Sequence, residues 1–140
     1  MYQALFLSHG DLSVALLKAA ELILGEQPAG EVEAISLPPG QDMAVYLAKV
    51  DDFASRAADK GGAILFTDLA GGSPFLAAAQ IYRKHSGEMP LEVITGMNLP
   101  MAIEILAARE FSSVEEGRKT ALAEGQQGVR ALSQQLAAQN

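Results

Sequence analysis

Short apolar runs alternate along the chain with longer stretches of helical periodicity. Ala4-Leu5-Phe6-Leu7 has no polar position interleaved, the mark of a strand buried on both faces, and it runs into Ser8-His9-Gly10. Leu12, Leu16, Ala19 and Ile23 then recur at a helical period, and Gly25 supplies a stop. Val32 to Leu37 predicts a second strand, closed by Pro38-Pro39-Gly40. Met43, Leu47, Val50, Ala54 and Ala57 predict a second helix, ended by Lys60-Gly61-Gly62. Ala63-Ile64-Leu65-Phe66 is a third buried strand, followed by Thr67-Asp68-Leu69-Ala70-Gly71-Gly72 and a helix opening at Ser73-Pro74. Leu91-Glu92-Val93-Ile94 is a fourth strand, and Gly96-Met97-Asn98 leads into a helix with Pro100 in its first turn. Ser113 and Glu116 have the spacing of a capping box for one more helix. Gly125 and Gly128 then interrupt the helical period, so Gly128 to Leu132 fits either a frayed helix or a short strand.

Apolar strands separated by helices imply βαβ crossovers: an α/β fold with an open parallel sheet and helices on both faces. No internal repeat or linker divides the sequence, so residues 1–140 read as one domain. A chain of about 150 residues buries roughly 70% of the surface that its unfolded form exposes, enough for a core without staples. There is no cysteine among the 140 residues, which excludes disulfides, thiolate nucleophiles and cysteine-held metals and suits a reducing cytoplasm. Ten basic against 17 acidic side chains give a net charge of −7, the wrong sign for a nucleic-acid binder. The first residues lack the basic and apolar regions of a signal peptide, and no window is apolar enough to span a membrane. A cytoplasmic location is expected.

Ligands of open parallel sheets gather beyond the carboxyl ends of the strands, near the point where strand order reverses. The first and third strands are expected to be neighbours through a right-handed crossover, which brings His9 and Asp68 to one crevice. A neutral imidazole is a nucleophile and proton carrier near neutral pH. It needs an acceptor on one ring nitrogen to set the tautomer, and Asp68 suits that role. Ser73 as N-cap and Pro74 as first helical residue would leave first-turn N–H groups facing the crevice, and Gly71 and Gly72 would let an anion approach. Ser8, Gly10, Thr67, Met97 and Asn98 complete the expected crevice. The Pro38-Pro39-Gly40 turn carries no titratable side chain and receives no role.

Other chemistries lack their residues. Gly71-Gly72-Ser73-Pro74-Phe75 misses the final glycine of a serine-hydrolase elbow, and neither a Walker A lysine motif nor Gly-x-Gly-x-x-Gly occurs. His85, in Arg83-Lys84-His85, is expected on a solvated face or at a helix-dipole contact. Met43, Met97 and Met101 are expected in the core or crevice lining. No cofactor and no metal is expected.

Four segments in this order and spacing carry a resemblance that covers essentially the whole chain. They are Ser8-His9-Gly10, Leu24-Gly25-Glu26-Gln27, Thr67-Asp68-Leu69-Ala70-Gly71-Gly72-Ser73-Pro74-Phe75 and Gly96-Met97-Asn98-Leu99-Pro100-Met101. Together they resemble the IIA component of the mannose class of the bacterial phosphoenolpyruvate-dependent sugar phosphotransferase system. The resemblance implies strand order 2-1-3-4 and a fifth, antiparallel strand at Gly128 to Leu132, exchanged between the subunits of a homodimer. It implies that His9 is phosphorylated, that Asp68 holds its ring and that Gly71, Gly72 and Ser73 sit beside the phosphoryl group. HPr is the implied donor, a IIB component on a separate polypeptide the acceptor, and the membrane components IIC and IID indirect partners. The implied sugar is mannose or an amino sugar. A regulatory phosphohistidine module without sugar flux and a dihydroxyacetone-kinase phosphocarrier subunit are the alternatives.

Overall fold

The computed structural model describes residues 1–139. Among them the chain forms β1 (Gln3–His9), α1 (Leu12–Leu24), β2 (Val32–Leu37), α2 (Met43–Ala57), β3 (Ala63–Thr67), α3 (Ser73–His85), β4 (Leu91–Ile94), α4 (Leu99–Ala108), α5 (Val114–Gln127) and α6 (Leu132–Ala138), with a 3₁₀ turn at Arg109–Phe111. The four strands are parallel in the order β2-β1-β3-β4. Among the described residues no helix is long and apolar enough to cross a membrane.

The two inner strands are the ones whose sequences are apolar throughout, because both of their faces are covered. Successive side chains point to opposite faces. Ala4, Phe6, Ile64 and Phe66 therefore pack with α4 and α5 residues such as Met101, Ile105 and Ala121. Leu5, Leu7, Ala63 and Leu65 pack with Tyr46, Val50 and Phe53 of α2 and Ala77, Ala78 and Ile81 of α3. Phe6 and Phe66 stack with ring centroids 5.1 Å apart, locking β1 to β3. Each fully buried leucine or phenylalanine contributes about 1.5–3 kcal/mol to this core.

Several local expectations hold. Gly25 ends α1 at φ 95°, and the Ser113–Glu116 capping box is present in both directions. The stripe expected to bury α1 does so only in part, with Leu16 packed against the core. Leu12 and Ile23 are exposed, whereas Ser13 and Ala20 are buried. So many positions of α1 are apolar that more than one stripe fits the period, and the phase is set by the turn before it. The Ser13 amide donates to Ser8 Oγ at 2.6 Å, drawing Ser13 inward. In α2 the buried set includes Tyr46 and Phe53, which the expected stripe omitted, while Met43 is exposed.

The fifth strand implied by the resemblance is absent from the sheet among the described residues. Gly128 caps α5, and Leu132 opens α6 instead of ending a strand. The outer edges of β2 and β4 are not taken up by this segment, which folds away from the sheet as α6. Val129, Leu132 and Leu136 are left exposed.

Candidate active site

Strands β1 and β3 run side by side to their carboxyl ends, with Leu7 opposite Thr67. The residues that follow, His9 and Asp68, meet across that edge. The His9 amide donates to Asp68 Oδ2 at 3.0 Å, and Nδ1 of the same ring lies 2.8 Å from that oxygen. Burial opposes charge on Asp68, but the hydrogen bonds from the His9 ring and amide outweigh it and hold the carboxyl below its ordinary value. A carboxylate can only accept, so Nδ1 donates to it, and in a neutral ring Nε2 is then the nitrogen that holds the lone pair. The His9 side chain is 50% exposed and that of Asp68 11%. The carboxylate is thus shielded beneath a ring that solvent and partners can reach.

The turn after Asp68 shapes the other side of the ring. Gly71 has φ +80°, a conformation that side chains rarely adopt, and it swings Gly72 beneath His9. A Cβ on Gly72 would lie 2.6 Å from Cε1 of His9 and 3.2 Å from Nε2, so this residue must be glycine for the ring to stay where it is. Gly72 itself is the N-cap of α3, in extended conformation, with its carbonyl accepting from the Leu76 amide at 2.9 Å. Ser73, expected in that role, is one residue further in and makes no capping bond. The Gly72 amide donates to the Leu69 carbonyl, and Pro74 has no N–H. Ser73 and Phe75 therefore supply the first-turn amides without an intrahelical acceptor.

The remaining expected crevice residues divide. Gly10, at φ +53°, donates its amide to the Leu37 carbonyl at 2.9 Å and lines a cleft beside His9. Ser8 and Thr67 are fully buried and do not line it. Their hydroxyls are spent on backbone: Ser8 Oγ donates to the Gly10 carbonyl, and Thr67 Oγ1 to that of Ile94. Met97 donates its amide to the Thr67 carbonyl at 3.1 Å and packs its side chain against the core under α4. Asn98 caps α4 through the Met101 amide and donates from Nδ2 to the Gly125 carbonyl of α5 at 2.9 Å. Its polar atoms serve the β4–α4 turn.

The cleft beside His9 holds about 340 Å³, and its far wall is Leu37, Pro38, Gln41 and Met43. Sequence reasoning gave this turn no role because it lacks titratable groups. An apolar wall leaves no chemical signature in a sequence. His85 stands in the last turn of α3, the helix end expected of it, but not on a solvated face: its side chain is only 12% exposed, and Nε2 sits 2.6 Å from Asp51 Oδ1 on α2. It clamps α3 to α2, which only the tertiary packing of the two helices could place.

A doubly wound parallel sheet with a histidine–carboxylate pair at its switch point, flanked by a glycine turn and a helix N-terminus, defines a small α/β protein with a single-histidine site. Residues 4–122 match the family described as the PTS system fructose IIA component, and the chain belongs to that family, as a mannose-class IIA component of the sugar phosphotransferase system. It is 36% identical over 128 residues to the mannose-specific EIIAB component of Escherichia coli (strain K12). That match covers 89% of the chain and 38% of the relative, so the chain spans well under half of that protein's length. It is 30% identical over 116 residues to the sorbose-specific EIIA component of Klebsiella pneumoniae, covering 83% and 81% of the two chains. Among solved structures, the PTS IIA protein associated with the fucose utilization operon of Streptococcus pneumoniae superposes with a TM-score of 0.82 at 25% identity, over 96% of this chain and 95% of that one.

Proposed function

We propose that the protein is a phosphohistidine carrier that takes a phosphoryl group from phospho-HPr on His9 and passes it to a IIB component for uptake of a sugar of the mannose class. The observation that carries this reading is the 2.8 Å contact between Nδ1 of His9 and Asp68 Oδ2, which leaves Nε2 as the free nucleophile. In the forward step the Nε2 lone pair forms a bond to phosphorus, the bond to the donor's phosphohistidine nitrogen breaks, and the donor ring keeps that electron pair. The Nδ1 proton stays on His9, and the Asp68 carboxylate balances the positive charge that develops on the ring. Phosphoryl transfer asks mainly for positioning and charge stabilisation. Gly72 clears space against Nε2, and the Ser73 and Phe75 amides, with the Ser73 hydroxyl, are donors for the phosphoryl oxygens. Transfer to IIB reverses these steps toward a new acceptor.

Incubation with phosphoenolpyruvate, enzyme I and HPr should add one acid-labile phosphoryl group per chain. His9→Ala should abolish the label and His85→Ala should keep it. Labelling that survives in His9→Ala would overturn the assignment.

The same reading includes a homodimer completed by Gly128 to Leu132. The exposure of Val129 at 80% and Leu132 at 69% supports a partner for this segment. Sedimentation should show a dimer that weakens on truncation before Gly128, and a monomer at every concentration would contradict it.

A further inference from the structure

Two buried polar atoms close to the His9 site have no hydrogen-bond partner among the described residues: the hydroxyl of Tyr46 and Oδ1 of Asp68. They have opposite needs. Oδ1 of a carboxylate can only accept, while a phenol has a proton to donate. Leaving either one unmade under burial costs about as much as a lost hydrogen bond, and more for the charged group.

Topology brings them together. In a right-handed βαβ unit each helix starts at the carboxyl edge of the sheet and runs back along it. Tyr46 is in the first turn of α2, so it lies at the level where β1 and β3 deliver His9 and Asp68. Met43, one turn earlier on the same face, borders the cleft beside His9. The Tyr46 ring is fully buried with Leu7, two residues before His9, and with Leu65, three before Asp68. Burial and then the negative charge of Asp68 push the Tyr46 phenol upward, so it keeps its proton.

We propose that Tyr46 is a positioning residue, whose hydroxyl donates to Oδ1 of Asp68 through one bridging water. The carboxylate is then held at both oxygens: Oδ2 by the ring and amide of His9, Oδ1 by the floor of the core. A carboxylate gripped on one side only can rotate about its Cβ–Cγ bond and carry the His9 ring with it. One gripped on both sides presents Nε2 at a fixed point, which is what transfer between two rings requires. A water serves here because the site offers it both an acceptor and a donor. The inference rests on the reading of His9 as the phosphoryl acceptor.

The test is Tyr46→Phe, which removes one oxygen and leaves the ring in the core. Single-turnover transfer from phospho-HPr should slow about 10-fold, and the Asp68 carboxyl, followed by carbon-detected NMR without any donor protein, should titrate about one unit higher than in wild type. In an Asp68→Ala background the same substitution should add no further slowing, since the carboxylate it acts on is gone. A wild-type rate together with an unmoved Asp68 titration would overturn the proposal. So would equal slowing in both backgrounds, which would send Tyr46's effect elsewhere. Wild-type protein that takes no label on His9 would instead overturn the carrier reading, while the titration would still report on the Tyr46–Asp68 link. A tyrosine that merely fills the core moves neither the titration nor the coupling.

Discussion

Gly72 lies so close beneath the ring of His9 that a methyl group there would meet Cε1 at 2.6 Å and Nε2 at 3.2 Å. The glycine is not needed for its backbone, since φ −76° and ψ 168° are open to any residue. It is needed for the space it leaves at the nucleophilic nitrogen.

Gly72→Ala should therefore separate folding from function. The melting temperature should change little, because alanine fits the backbone and restricts the unfolded chain. Phosphotransfer should fall about 100-fold, the scale on which a displacement of about 1 Å acts on a positioned nucleophile. Normal transfer in a folded Gly72→Ala protein would show that the ring has another working position.

Asp68→Asn tests orientation against simple capping. The amide is nearly isosteric, but it can offer its NH₂ to Nδ1 and so favour the wrong tautomer, and it carries no charge. Single-turnover transfer should slow by roughly 10- to 10⁴-fold, the range spanned by general acid–base effects and by loss of an orienting aspartate in serine proteases. Circular dichroism melting should remain near wild type. An unchanged rate would mean that His9 works without the pair.

Asp51 predicts a pH dependence of stability. Hydrogen bonds from Lys84 and His85 hold its carboxyl below the ordinary 3.8. A depressed carboxylate contributes stability above its unfolded-state value and loses it as pH falls through the folded-state one. Asp51→Asn should thus lower stability by roughly 1 kcal/mol at pH 7, and the gap to wild type should close as pH falls below 3.8. Denaturant titrations at several pH values measure it. A gap that persists at the acid end would locate the effect in packing.

Arg109 is 1% exposed, donates from Nη1 to the Tyr2 carbonyl at 2.9 Å and meets Glu31 at 3.2 Å. It ties the turn after α4 to the starts of β1 and β2, far from the chemistry. Arg109→Met keeps the stem but strands the carbonyl, and it should cost about 1–3 kcal/mol, visible as a Tm lower by roughly 5–10 °C. Transfer by the folded fraction should be unchanged. A loss of transfer without a loss of stability would contradict a purely structural role.

Much of the architecture was readable along the chain because it rests on local physics. A short unbroken apolar run such as Ala4 to Leu7, bounded by turn residues, reads as a strand covered on both faces, and Gly25, Asn98 and the Ser113–Glu116 pair mark helix ends through their own local chemistry. The His9 and Asp68 pairing was legible for a related reason: parallel strands joined by right-handed crossovers put their carboxyl ends on one edge, so loop position predicts proximity. What depended on the fold were the choices that local pattern leaves degenerate or silent. The stripe of α1 could bury Leu12 or Ser13 equally well by period, and a hydrogen bond to Ser8 decided for Ser13. Ser8 and Thr67 sat at the right strand ends, but the alternation of the pleat turned their hydroxyls inward onto backbone. Tyr46 and the Pro38 wall carried no signal at all, because a buried phenol and an apolar turn acquire chemical meaning only from what they face. Sequence sets which residues can do chemistry and where the chain turns; three-dimensional packing, which couples positions dozens of residues apart, decides which of them meet.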